Sequence, residues 1–475
     1  MKKIMEPQLK PAELAGSNKQ YGYINGRPGG NDTSLILGIV RDPLERKRIN
    51  AEIMSLYGPE SPSPIEQVGF VNFAPDNYEL MMAGGEFCGN ATRYAAYLAL
   101  KGKPGQIQIK VSGVEKSLIA GVAENGESYA QMPIYSDPER VQTDLAYPEN
   151  STVYMEGITQ YVDWNTTQIE GRNEEEIKAI GMDIIRRNGL DEGPAAGVMF
   201  AKKTKKGIEI VPVVYVKEID TVFLETACGS GTTAVGMALA KKTGKSVVEE
   251  PIIQPSGQPI KVSVNYDGKE FKYAQIQGPV EILNTGVLIQ TNSGPIAVER
   301  AITKEQVNVY LANGELLNAY NAVFGGSLYD EVFSYEEVMS DFMEYQQDGT
   351  LFFARSKDEL VGFGASLPLS KRDEIAKIAV GFGIPFKSTQ YMADLGVLEP
   401  WRKKGVGKAL INERLMSFPK GTTVLMRTSE KNDESQRLYK ELGFTQVKGM
   451  EQMVEQMRTS GKPEIDRRIF FTKVI

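Results

Sequence analysis

Histidine is missing from this 475-residue chain altogether, and cysteine occurs only twice. Without imidazole there is no histidine base, no histidine metal ligand and no serine–histidine–aspartate triad. Acid–base work falls to Cys, Asp, Glu, Lys or Tyr. Two thiols can form neither a disulfide framework nor a four-thiolate zinc site, so no metal centre is expected and the compartment reads as reducing. No apolar run approaches the ~18 residues that would suggest a membrane span. The opening MKKIMEPQLKPAELAG has basic residues with no apolar stretch behind them, which leads to the expectation of a soluble cytoplasmic protein with no membrane partner. Excess positive charge is missing too. With 54 Lys+Arg against 61 Asp+Glu, a net charge of −7 and no basic patch, nucleic acid is not an expected partner.

What remains is ordinary globular composition, 41% hydrophobic and 24% charged, at a length for two to four domains. Segments such as VGFVNF, YELMM and VSGVEKSLIAGV read as strands between glycine-rich turns. Helices are expected over 45–57, 91–101, 174–188 and 232–242, the third opening on three Glu, which suits a helix N-terminus. After Gly278-Pro279 and NTGVLIQTNSGPI the texture changes to a strand, a long helical region with little glycine, and a second α/β pattern ending in RIFFTKVI. The boundary falls near 283–295, with 286–295 read as a linker.

Both cysteines stand in one repeated setting. Residues 86–93 read EFCGNATR and 225–233 read ETACGSGTT; in each, a Cys follows an extended segment, precedes Gly and a small polar residue, and opens a helical run. An isolated cysteine is usually core filler. Two in matching strand–turn–helix settings, about 140 positions apart, suggest two similar halves facing each other. Helix N-terminal amides and the helix dipole stabilise a thiolate and hold anions. This arrangement suits removal of an amino-acid α-proton on one face by a thiolate, with return on the other by a thiol. The α-carboxylate would lie between the helix starts, on the amides of Gly89-Asn90 and Gly229-Ser230. Cys88 and Cys228 exchange roles with direction, and no pyridoxal cofactor is needed.

The motifs CGN-A-TR and ACGSGTTAVG, with GGND at 29–32, resemble the signatures of the diaminopimelate epimerase family of cofactor-independent racemases over roughly residues 15–285. That resemblance implies an α+β fold of two pseudo-symmetric halves, 1–135 carrying Cys88 and 136–285 carrying Cys228, each a sheet or barrel around a central helix. Those epimerases carry a Glu-Arg-Gly segment before the second Cys, whose Arg grips the distal end of diaminopimelate. Ungapped counting puts that Glu and Arg on Ile219 and Asp220, so the distal grip is absent. Met81-Met82-Ala83-Gly84 stands where an Asn is expected.

A narrower set of segments, IEQVGF, GGEFCGNATR, KVSG, QMP, YVKEID before ETACGSGT, and QPSGQPIKVSV, is similar to the histidine racemases of the staphylopine metallophore pathway. It implies a site role for Glu66, and Asn31 and Asn90 join as substrate-binding candidates. A neutral or cationic side chain, histidine first, is the expected substrate. Metallophore or other amino-acid-derived metabolite assembly is the expected setting, with a homodimer left open.

Residues 391–410 read YMADLGVLEPWRKKGVGKAL, a strand followed by an R-x-x-G-x-G turn that opens a helix. Successive amides at such a turn form a cradle for pyrophosphate. With NDESQRLYKELGF at 432–444, the turn resembles the two signatures of the GNAT superfamily of N-acetyltransferases, over a domain of 296–475. The resemblance implies acetyl-CoA bound by Arg402, Lys404, Gly405, Val406, Gly407, Lys408 and Asn432. It implies the acetyl carbonyl on the backbone of Leu395–Val397, and Tyr439 protonating the departing thiolate. Asp394 and Glu399 are candidate bases. Two rival readings stand beside the fusion: a diaminopimelate-type epimerase or isomerase whose second domain only binds acetyl-CoA or dimerises, and a phenazine-type isomerase, against which both cysteines argue.

Overall fold

The computed structural model describes residues 19–475 except 60, 62, 218, 219, 327 and 328. The described chain forms two compact units, Tyr23–Leu283 on one hand and 19–22 with Asn284–Ile475 on the other.

In the first unit, residues 23–26 pair antiparallel with 33–36, and Thr33–Leu37 runs parallel to Gln67–Ala74, which turns back as Asn77–Met82. Gly105–Val111, Leu118–Val122 and Ser128–Met132 follow as an antiparallel meander. These strands enclose the helix Gly89–Ala99, whose Ala91, Tyr94, Ala95 and Ala96 are fully buried against Leu35, Val71, Leu80 and Met82. A second set of strands, from Val141–Thr143 to Phe271–Gly278, encloses the helix Gly229–Thr243 with Met199, Val262 and Ile276 in its core. The two sets join where Phe271–Gly278 pairs with Ser128–Met132. Both enclosed helices are built from small residues because strands approach them closely. A Cβ on Gly236 would meet Val262 Cγ2 at 2.8 Å, well inside van der Waals contact.

Helix Glu174–Arg187 lies outside the strands. Asn173 and Glu176 close a capping box at its start, three Glu occupy its first turn and Arg186 and Arg187 its last, each charge matched to the dipole. It buries Ile184 and Ile185 against Phe200 and Val213.

The second unit is a mixed sheet. Antiparallel strands run from residues 284–291 through Gly294–Arg300, Thr350–Ser356 and Glu359–Pro368 to Thr389–Val397. Thr389–Val397 is then parallel to Thr423–Ser429, followed by Pro463–Val474 and Thr445–Met457. Lys304–Ala312, Glu315–Phe324 and Tyr335–Asp348 bury Val307, Leu316 and Phe342 against Phe353 and Phe363, whereas Val406–Met416 packs a separate core with Ile296 and Val361.

Three expectations change. Residues 286–295 are a β-hairpin, with 286–291 laddered to 294–299. Their alternating apolar residues bury Leu288, Ile289 and Ile296 completely, which no linker would do. VSGVEKSLIAGV is two strands, ending at Val111 and restarting at Leu118. The cysteine helices begin at Gly89 and Gly229 rather than at 91 and 232, because Gly, Asn and Ser are poor in helix interiors but acceptable in a first turn that a cap supports.

Candidate active sites

Each cysteine is the N-cap of its helix. Cys88 Sγ accepts from the Ala91 amide at 3.4 Å and Cys228 Sγ from the Gly231 amide at 3.3 Å. The two helix starts adjoin. Asn90 Nδ2 donates to Ala227 O at 3.3 Å, and a Cβ on Gly229 would lie 3.6 Å from Asn90 N. Gly89 and Gly229 share a floor, Ile276, whose Cδ1 would be within 3.0 and 2.9 Å of an added Cβ. Ser230 Oγ lies 3.4 Å from Cys228 Sγ and accepts from Gln160 Nε2.

Glu66 and Asn31 belong to the same place. Asn31 Nδ2 donates to Glu66 Oε2 at 3.0 Å, and Thr226, two residues before Cys228, donates its hydroxyl to Glu66 Oε1 and to Gly30 O. The GGND turn comes this close because its glycines carry no side chain. At φ 75° and 102°, a Cβ on Gly29 would meet Arg93 Nη2 at 2.6 Å, and one on Gly30 would meet Ser256 Oγ at 2.0 Å.

Four residues escaped the sequence reading. Gln67 Oε1 accepts the Cys88 thiol at 2.8 Å. Gln254 Oε1 receives the Cys228 amide at 2.9 Å. Arg93, fully buried, donates to Asn90 Oδ1 and to the carbonyls of Gly278 and Pro279. Glu225 lies near enough to Cys228 for each to act electrostatically on the other. All four lie within the quoted segments, Gln67 in IEQVGF, Arg93 in EFCGNATR, Glu225 in ETACGSGTT and Gln254 in QPSGQPIKVSV, but nothing in the local pattern says which side chains turn toward the thiols.

Burial opposes the thiolates that the helix termini favour. Burial pushes Cys88 up to about 12, and Glu225 and Glu86 add to it against the pull of the Ala91 and Asn90 amides. Burial and Glu225 likewise push Cys228 well up. Desolvation and two neighbouring carboxylates outweigh one turn of backbone dipole. Burial also raises Glu66, and it raises Glu225 to about 7 with Glu66 adding to the effect. Asp220 lies apart on an exposed turn, bonded to Tyr215 Oη, and Ile219 lies outside the described residues.

In the second unit a cavity of about 980 Å³ gathers Leu395, Val397, Arg402, Lys404, Gly405, Gly407, Lys408, Asn432 and Tyr439. Val406 is not among them; its side chain is buried in the core, leaving only its backbone for a ligand. Gly405, at φ 90°, caps the helix that follows. Beyond Met392 and Met426 the parallel strands cease to pair, so the backbone of Leu395–Val397 has no partner strand on that side.

Compared with known proteins, residues 22–289 match the family described as the histidine racemase CntK N-terminal domain. The chain belongs to the histidine racemase family. Residues 315–444 match the acetyltransferase (GNAT) family, so the chain fuses a racemase domain to an acetyltransferase domain. A histidine racemase of Fusobacterium nucleatum is 30% identical over 284 residues, covering 58% of this chain and 98% of its own. One from Staphylococcus aureus is 24% identical over 228 residues, 46% of this chain and 82% of its own. Among solved structures, a hydroxyproline epimerase from Agrobacterium vitis aligns with a TM-score of 0.41 at 12% identity, over 58% of this chain and 94% of its own.

The acetyltransferase domain implies acetyl-CoA, and its residues fit that ligand. First-turn amides at Val406–Lys408 have no carbonyl within their helix. A Cβ on Gly407 would come no nearer than 3.6 Å to Leu438 Cδ2, so the turn stands open to a pyrophosphate. Lys404 Nζ bonds Ser293 Oγ at 2.6 Å and lies over the Trp401 ring, and Arg402 Nε bonds Val397 O at 3.1 Å. Tyr439, packed against Phe444 and Phe471, is pushed up by burial and stays protonated. Among the described residues no helix is long and apolar enough to cross a membrane.

Proposed function

We propose that the first unit racemises a free amino acid, histidine being the first candidate, by two-thiol proton transfer without pyridoxal phosphate. The second unit acetylates an amine from acetyl-CoA. The observation that carries the racemase reading is the pairing of two N-cap thiols at adjoining helix starts, with Asn90 Nδ2 on Ala227 O. Domains of 1–135, 136–285 and 296–475 and a pseudo-symmetric relation of the first two belong to the same reading. Its support is one enclosed small-residue helix, capped by cysteine, in each set of strands.

Substrate carboxylate lies on the amides at the helix starts, and its ammonium faces the carboxylates of Glu66 and Glu225. Bringing that positive charge beside the thiols offsets the carboxylates that keep them protonated. Cys228 passes its proton to Glu225. As thiolate it takes the α-proton, and the Cys88 thiol, held by Gln67, returns one to the opposite face. Running from the other enantiomer, the sulfurs exchange tasks. Histidine as substrate rests on the names of the relatives and on acidic side chains in the cleft. The deciding experiment is α-proton exchange in D₂O over an amino-acid panel including glutamate and diaminopimelate. Fastest exchange of either dicarboxylate overturns the substrate reading and leaves the two-thiol chemistry.

Two expected results arise here. Since Glu225 accepts a proton only when ionised, kcat/KM for exchange rises with pH through about 7. Glu225→Gln loses that limb and rises only as the thiols ionise, and profiles from pH 5.5 to 9.5 on one substrate compare the two. In the other domain, Gly405→Val must force a β-branched residue to φ 90°. The KM for acetyl-CoA is expected to rise about tenfold, the worth of one lost backbone hydrogen bond, with α-proton exchange unchanged.

A further inference from the structure

The cavity of the acetyltransferase unit continues past the glycine turn to an end built from charged and aromatic side chains. Asp394 stands there, at an irregular point of the ladder where 393–394 lie opposite Ala365 alone, and immediately before Leu395. Its Oδ2 accepts from Tyr345 Oη at 2.8 Å and Tyr320 Oη at 3.3 Å. Both tyrosines are buried in an aromatic frame, Tyr320 on Phe342 and Phe363 and Tyr345 on Phe342, which fixes the carboxylate in place.

One turn before Tyr345, Asp341 lines the same end of the cavity, half-buried, with no hydrogen bond or ion pair among the described residues. Burial and Asp394 raise it to about 6, the mark of two carboxylates short of a counter-charge. Arg372 eases both acids from a distance but forms no ion pair with either, being engaged by Glu344 at 2.8 Å. Arg427 also lines this end. Its hydrogen bond goes to the neutral Gln452 amide, and no carboxylate lies within ion-pair distance among the described residues. The cavity thus offers two acids and a guanidinium with no ion pair between them among the described residues, beside the backbone expected to hold the acetyl carbonyl.

We propose that the acetyl acceptor is a free amino acid, its ammonium received by Asp394 and Asp341 and its carboxylate by Arg427. A polyamine would satisfy the acids and leave Arg427 alone, and a peptide N-terminus lacks the adjacent carboxylate. The guanidinium singles out the free acid. In the reaction the ammonium loses one proton, the amine nitrogen forms a bond to the acetyl carbon and the C–S bond breaks. The leaving thiolate takes a proton from Tyr439, and the second nitrogen proton restores the tyrosine. The products are the N-acetyl amino acid, the free thiol and one net proton. The inference rests on the acetyltransferase reading of this unit.

The test uses the full chain with acetyl-CoA and mass-spectrometric detection of products from free amino acids of both configurations, their carboxamides, spermidine and a short peptide. At least one free amino acid is expected to be acetylated, with its carboxamide about tenfold or more poorer in kcat/KM. Arg427→Met is expected to raise the amino-acid KM about tenfold and bring acid and carboxamide to parity, leaving the KM for acetyl-CoA unchanged. Asp341→Asn, which keeps the side-chain shape, raises the same KM independently. Preference for spermidine, peptide or carboxamide overturns the proposal while leaving the acetyltransferase reading intact. Absence of transfer to every amine, with acetyl-CoA binding by titration calorimetry, overturns both.

Discussion

Cys228→Ala is expected to lose α-proton exchange by at least about 10³-fold, and Cys88→Ala by as much, since each turnover needs a base on one face of the α-carbon and an acid on the other. Neither thiol has a substitute. The chain contains no imidazole, and the Ser230 hydroxyl, 3.4 Å from the Cys228 sulfur, is bonded to the Gln160 amide rather than to a base. The cavity left by a small thiol is modest, so both variants should fold and calorimetry should find their transitions near the wild type. Mass spectrometry in D₂O with separated enantiomers reads the result. Serine variants make the finer distinction: the poorer acid and base should retain washout from one face while racemisation stays lost. A Cys88→Ala protein that racemises any amino acid at the wild-type rate overturns the two-base mechanism.

Arg93→Met is expected to destabilise the racemase unit by about 3 kcal/mol. Arg93 is fully buried and ties Asn90 Oδ1 and Ser128 Oγ to the carbonyls of Gly278 and Pro279. Removing it strips buried acceptors of their donor, each at a cost of about 1–3 kcal/mol, although relaxation and water recover part. Methionine fills much of the volume, which isolates the hydrogen-bonding loss from cavity formation. Differential scanning calorimetry should show the racemase transition lowered, with the acetyltransferase transition as an internal reference. Exchange activity at temperatures below unfolding should fall as well, because Asn90 loses its anchor. An unshifted transition would mean that the guanidinium is structurally dispensable.

Much of the site was legible because chemistry of this kind needs particular residues in particular local settings. A cysteine ahead of Gly and a small polar residue, twice, announces two N-caps, and the structure has Cys88 and Cys228 at those positions. The R-x-x-G-x-G turn is equally local, and Gly405 at φ 90° is its physical basis. The hairpin at 284–300 was misread for the opposite reason. Asn, Thr, Ser and Gly inside an otherwise apolar stretch look like a linker until a partner strand takes up their backbone groups.

The sequence by itself determined which groups are available: two thiols, no imidazole, and an R-x-x-G-x-G turn at a helix start. Only the tertiary structure decided the electrical state of those groups. Helix termini alone argue for thiolates, yet burial, the approach of Glu225 to both thiols and that of Glu86 to Cys88 push the other way. Through Thr226 and Asn31, the fold also brings Glu66 to the second cysteine's strand, 160 positions away in the chain. Residue types and local caps follow from spacing along the chain. Desolvation and through-space charge depend on what the fold packs around each group, and no local pattern encodes that.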